Sequence, residues 1–125
     1  MRRNLPFIAV LLWAAAIFTV SSFPNPPGTS GGEWKSQLAH TTEYAILGAL
    51  ILHALRAARP TAPVVALAAL AWVLATLYGM SDEFHQSFVP NRDANWLDVG
   101  FDSFGSAIGV TLALAFERTA RRPKT

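Results

Sequence analysis

The stretch APVVALAALAWVLATLYGM, residues 62–80, contains no charged side chain and is built almost wholly from alanine, valine and leucine around Trp72. At roughly 20 residues per crossing, an uninterrupted run of this kind reads as a helix spanning a bilayer, where every backbone donor must find its acceptor inside the same segment. It sets the frame for the rest of the chain.

The composition agrees with that frame. The 125 residues are 52% hydrophobic and only 14% charged, with a mean hydropathy of +0.32, against about 25% charged residues in ordinary soluble domains. The length accommodates about four helices with short connections and no separate soluble domain. Cysteine is absent, which removes disulfides and thiolate metal sites from consideration. The net charge of +2 gives no case for nucleic acid, because the basic residues scatter over separate ends of the apolar segments without a recognition motif.

Three further apolar segments flank the first. One, at about 5–22, follows Arg2 and Arg3 and ends before Pro24. It is short enough to be a signal-peptide core, but no clear A-x-A pattern closes it and three more apolar segments follow, so we read it as a retained span. A connection rich in proline, glycine and serine, from Pro24 to Gly32, cannot continue a helix. Another segment, at about 37–55, begins with His40, Glu43 and Tyr44 and stops at Arg56 to Pro60; the last, at about 96–116, gives way to a basic tail.

Four spans put Arg2, Arg3, Arg56, Arg59, Arg118, Arg121, Arg122 and Lys124 on one side and only Lys35 and Arg92 on the other. The positive-inside rule then predicts a multi-pass protein with both termini cytoplasmic. All the acids except Glu117 fall on or near the opposite, outer side.

Those acids share helical faces. His40 with Glu43 and Tyr44, Tyr78 with Asp82 and His85 or Gln86, and Asp98 with Asp102 are spaced three or four apart, with Gly105 and Gly109 extending the last stripe inward. Ionisable groups inside a span are costly unless they face the bundle interior or water, so the three faces are expected to converge on a polar pocket open to the outside. Gly48, Gly105 and Gly109 read first as close helix packing.

The combination of Lys35, His40 and Tyr44, then Asp82-Glu83-Phe84-His85-Gln86 followed by Pro90 and Arg92, then Asp98, Asp102, Gly105 and Gly109 resembles the VanZ-like family of small bacterial membrane proteins. The resemblance covers about residues 35–110. It implies a bacterial inner-membrane location and a link to the cell envelope, the first named member being associated with low-level teicoplanin resistance; it supplies no reaction. Asp102 departs from the pattern, in which a small amide such as asparagine is expected.

Several chemistries remain open for these groups. As a binding site, Lys35 and Arg92 would hold anionic groups while His40, Glu43, Asp82, Glu83, Gln86 and Asp98 orient a lipid-linked or cell-wall-related ligand or a glycopeptide antibiotic, with Tyr44, His85 and Asp102 beside them. As an enzyme, His40 or Glu83 would serve as general base, with Glu43 and Asp82 in support and a lipid phosphate held by Lys35 and Arg92. A divalent metal could use His40, Glu43, Asp82, Glu83, His85, Asp98 and Asp102, although no H-E-x-x-H spacing occurs. Asp82, Arg92, Asp98 and His40 could equally form a buried network that fixes the third-to-fourth helix loop, or the bundle could be a scaffold within a larger complex. The expectation is an all-α, four-helix transmembrane bundle forming one domain over residues 1–125.

Overall fold

A computed structural model describes residues 4–24 and 31–120. Arg2, Arg3, Arg121, Arg122, Lys124 and most of the Pro24 to Gly32 connection lie outside the described residues.

Four helices follow one another: α1 (Leu5–Ser21), α2 (Glu33–Ala58), α3 (Val64–Gln86) and α4 (Trp96–Ala120). No strand occurs among the described residues. Local chemistry places the boundaries. Pro6 sits in the first turn of α1, where its missing N–H is not needed. Gly31 and Gly32 adopt φ of 125° and 121° before α2, a backbone region that disfavours side chains. Pro60 follows the end of α2, and Pro63 precedes α3 with an extended backbone.

Helix α2 starts at Glu33 rather than near Gln37, and α3 runs to Gln86 rather than stopping near Met80. Hydropathy marks the part of a helix that suits hydrocarbon, whereas a helix continues for as long as its backbone bonds and side-chain partners allow. The extension of α2 adds Glu33 and Lys35, and that of α3 adds Asp82, Glu83 and His85.

Helices α2, α3 and α4 are each long and apolar enough to cross a membrane, while α1 has 17 residues and falls below that length. It still packs along α2, with Trp13 Nε1 donating to Glu43 O at 2.9 Å. Helix α2 is central and touches the other three; α1 and α4 do not meet.

The seam between α2 and α4 is closed by glycine. A Cβ on Gly48 would lie 2.8 Å from the Ser106 carbonyl oxygen, and Cβ atoms on Gly105 and Gly109 would collide with the backbones of Thr41 and Ala45. Only hydrogen at these positions permits such an approach, which in lipid is a principal source of helix association. Ile17, Tyr44, Leu47, Leu52, Ala71, Ala75 and Val110 fill the interior, whereas Leu11, Val65, Leu112 and Phe116 are exposed, as side chains solvated by acyl chains should be. Arg56 Nε and Glu117 Oε2, 2.6 Å apart, join α2 to α4 at the end where the chain begins and finishes.

Candidate functional site

The opposite end of the bundle holds the polar residues. Helix α2 turns His40 inward and α4 meets it with Asp102: Nδ1 and Oδ1 are 2.7 Å apart. Asp98, one turn outward on α4, brings Oδ2 to 3.7 Å from His40 Nε2. One imidazole therefore lies between two carboxylates of the same helical stripe. Asp102 is completely buried, and Gly79 of α3 makes room for it, since a Cβ there would come within 2.7 Å of Asp102 Oδ2.

A second network ties α3 to α1 and to the loop before α4. Ser21 Oγ donates to Asp82 Oδ2 at 2.9 Å, and Gln86 Nε2 donates to the same oxygen at 3.0 Å. Gln86 Oε1 in turn accepts from Arg92 Nη2 at 2.7 Å. Thus Arg92 reaches the acids through an amide and makes no ion pair with Asp82. Glu83 Oε1 accepts the Asn95 backbone N–H, and Asn95 Oδ1 accepts from Leu97 N at 3.0 Å, capping the start of α4. The loop is held by Glu83, Gln86 and Arg92 together.

Four buried polar atoms in this region have no hydrogen-bond partner: Tyr44 Oη, Asp82 Oδ1, Glu83 Oε2 and Asp102 Oδ2. Three are carboxylate oxygens, each able to accept further donors. Above the His40 group, a polar hollow of about 220 Å³ is lined by Glu33, Ser36, Gln37, Asp93, Asn95 and Asp98, with Leu97 as the apolar member. Asp98 belongs both to this hollow and to the His40 group, so it connects the rim to the buried carboxylates.

The expected residues thus fall into groups. His40, Asp98 and Asp102 come together, as do Asp82, Gln86 and Arg92, with Glu83 fastening the loop and Tyr44 buried below. Lys35 and Glu43 also line a separate hollow of about 530 Å³ with Trp34, Leu38, Ala39 and Thr42. Lys35 Nζ is 5.7 Å from the Trp34 ring centroid. On a helix, Glu43 stands between the face of Lys35 and that of His40. Arg92 is bonded to Gln86 in the second network. His85 faces α1, with Nε2 at 3.0 Å from Ser22 Oγ and its ring stacked 4.4 Å from Phe18.

Among the described residues, no three His, Asp or Glu side chains are grouped to hold a metal ion. The His40 imidazole is engaged by Asp102 through Nδ1, and His85 lies beside Ser22 and Phe18.

Sequence reading did not single out Ser21, Ser22, Asn95 or Gly79. The two serines ended an apolar run, which was a usable signal for a polar contact at the span's end. A backbone N–H, or a glycine that leaves space for an acid on another helix, has no signature of its own.

These features define a class: a multi-pass helical membrane protein whose polar side chains gather at one end of an otherwise apolar bundle. The VanZ/LLP1 family model matches residues 7–117, and the chain belongs to that family. Comparison with curated proteins and with solved structures gave no match.

Proposed function

We propose that this protein binds, at the outer face of the bacterial inner membrane, the donor-rich polar end of a lipid-linked or cell-wall-related molecule, a class that includes glycopeptide antibiotics. The observation that carries the reading is the set of buried carboxylate oxygens on Asp82, Glu83 and Asp102 without hydrogen-bond partners, two of which are joined to the lining of the rim hollow, Glu83 through Asn95 and Asp102 through His40 and Asp98. Buried acceptors left unsatisfied are expensive, and an apolar bundle has no need of them for packing. Hydroxyl, amide or ammonium donors of a sugar or peptide headgroup would satisfy them. Both termini then lie in the cytoplasm, with Arg56 and Arg59 on the same side.

Native mass spectrometry of protein extracted gently from its own membrane tests this reading. The expected result is a co-purifying polar envelope molecule that is lost on Asp98→Asn or Asp82→Ala. Retention of the same molecule by both variants, in the same amount, would refute the assignment.

A second reading, acid–base catalysis on a phosphorylated envelope lipid, is favoured by one specific geometry. A carboxylate on Nδ1 of His40 with Nε2 directed toward the rim is the arrangement that orients a histidine base. In this reading Asp102 is a positioning residue. Turnover of an envelope lipid by purified protein, abolished by His40→Ala and reduced in kcat by Asp102→Asn, is the expected signature; no conversion by folded wild-type protein removes this reading.

A further inference from the structure

The end of the bundle away from the acids contains a cavity of different character. About 330 Å³ in volume, it is lined by Phe7, Val10, Leu11 and Ala14 of α1, by Leu47, Ile51, Ala54 and Leu55 of α2, and by Leu74 and Tyr78 of α3. Helices α1 and α3 form its walls and α2 its floor. Tyr78 carries the one polar side chain in the lining, and its hydroxyl is already used, donating to Ala14 O at 2.6 Å. Water has no partner there.

The cavity is closed toward the acids. Tyr78 bonded to Ala14, Ser21 bonded to Asp82 and His85 beside Ser22 pull α1 and α3 together on that side. Toward the other end the lining residues reach Phe7 and Leu55. Leu11 is 69% exposed and Leu74 41%, so the trough opens sideways to the hydrocarbon. Its mouth lies one turn before Arg59, whose backbone N–H bonds to Leu55 O at 2.8 Å. Arg59 is exposed and makes no ion pair among the described residues, whereas Arg56 is engaged by Glu117.

We infer that this trough binds one acyl chain of an anionic glycerophospholipid from the leaflet on the side of the chain termini, with Arg59 at the headgroup phosphate. An apolar void facing a bilayer is filled by the surrounding hydrocarbon, because empty space forfeits the dispersion contacts of every lining atom. A chain lying in a three-sided trough exchanges more slowly than one on a convex helix face. A basic residue at the mouth adds a preference for negative headgroups. The site is separate from the acidic end and does not depend on what binds there.

The test uses full-length protein reconstituted in nanodiscs containing phosphatidylcholine and phosphatidylglycerol, with retained lipid read by native mass spectrometry after ejection. Wild-type protein is expected to carry one phosphatidylglycerol. The double variant Leu11→Trp, Leu74→Trp, which fills the trough from its exposed edges, is expected to lose it while keeping the wild-type melting temperature. Arg59→Gln is expected to keep a lipid but to reduce the preference for phosphatidylglycerol over phosphatidylcholine about fivefold, the equivalent of about 1 kcal/mol. The inference is overturned by wild-type protein that retains no lipid or a second copy of the chain instead, by undiminished lipid in a folded double variant, or by unchanged headgroup preference in Arg59→Gln.

Discussion

His40 Nδ1 and Asp102 Oδ1 lie 2.7 Å apart between α2 and α4, with Asp102 fully buried. The pair crosses the same interface that the glycines close, so it serves packing and site geometry together. Removing one member of a buried pair leaves its partner stranded, at a cost of about 3–5 kcal/mol. Asp102→Ala should therefore lower the melting temperature strongly. Asp102→Asn, which keeps an acceptor oxygen, should lower it far less. In a double-mutant cycle with His40→Ala we expect a coupling above about 1 kcal/mol; additive effects would mean that the two groups are not paired in the membrane.

Glycine substitutions separate packing from polarity. Gly105→Leu and Gly109→Leu would press side chains into the Thr41 and Ala45 backbones, whereas a Cβ on Gly100 meets nothing within 4 Å. The first two should cost more than about 3 kcal/mol or abolish folded protein, while Gly100→Ala should shift stability by less than about 1 kcal/mol. Thermal unfolding in detergent distinguishes the three; equal effects would contradict the seam.

Helix α1 is held by few polar contacts. Ser21→Ala removes a donor to Asp82 and Tyr78→Phe removes the bond to Ala14 O. Each should weaken docking by about 0.6–2 kcal/mol, the usual range for hydrogen bonds between membrane helices. Hydrogen exchange should rise in residues 5–21 while α2 to α4 stay protected. Uniform deprotection of all four helices would show instead that α1 folds as one unit with the rest.

Topology can be tested directly. A reporter fused after Thr125, and another inserted between Arg59 and Thr61, should both register in the cytoplasm, and one inserted between Asn91 and Asp93 should register outside. Opposite results for any site would invert or break the arrangement inferred from Lys and Arg placement.

At the other rim, Arg56 and Glu117 are 2.6 Å apart and partly exposed. Glu117→Gln should cost no more than about 1 kcal/mol, and less in high salt, because water and ions screen such pairs. A charge swap, Arg56→Glu with Glu117→Arg, should recover most of the loss in a melting measurement.

The four helices were readable from residues such as Leu67, Ala71 and Val110 because hydrocarbon admits few alternatives to a self-bonded apolar helix. The stripes His40/Tyr44 and Asp98/Asp102 were readable for a related reason: spacing of three or four fixes a common face. Which neighbour each face would meet, such as Gln86 for Arg92, was not readable, since the angle at which a face meets its neighbours depends on how helices rotate against one another.

From sequence alone came the number of helices, the distribution of charge between their ends, and the rule that isolated acids must turn away from lipid. The three-dimensional packing chose which acid meets which partner: Asp102 for His40, Asp82 for Ser21, the Asn95 amide for Glu83. The difference has a physical origin. Solvation by hydrocarbon acts on each segment independently and is written in its composition, whereas a hydrogen bond a few ångströms long depends on the relative placement of two helices, which is decided where small residues on one let the other approach.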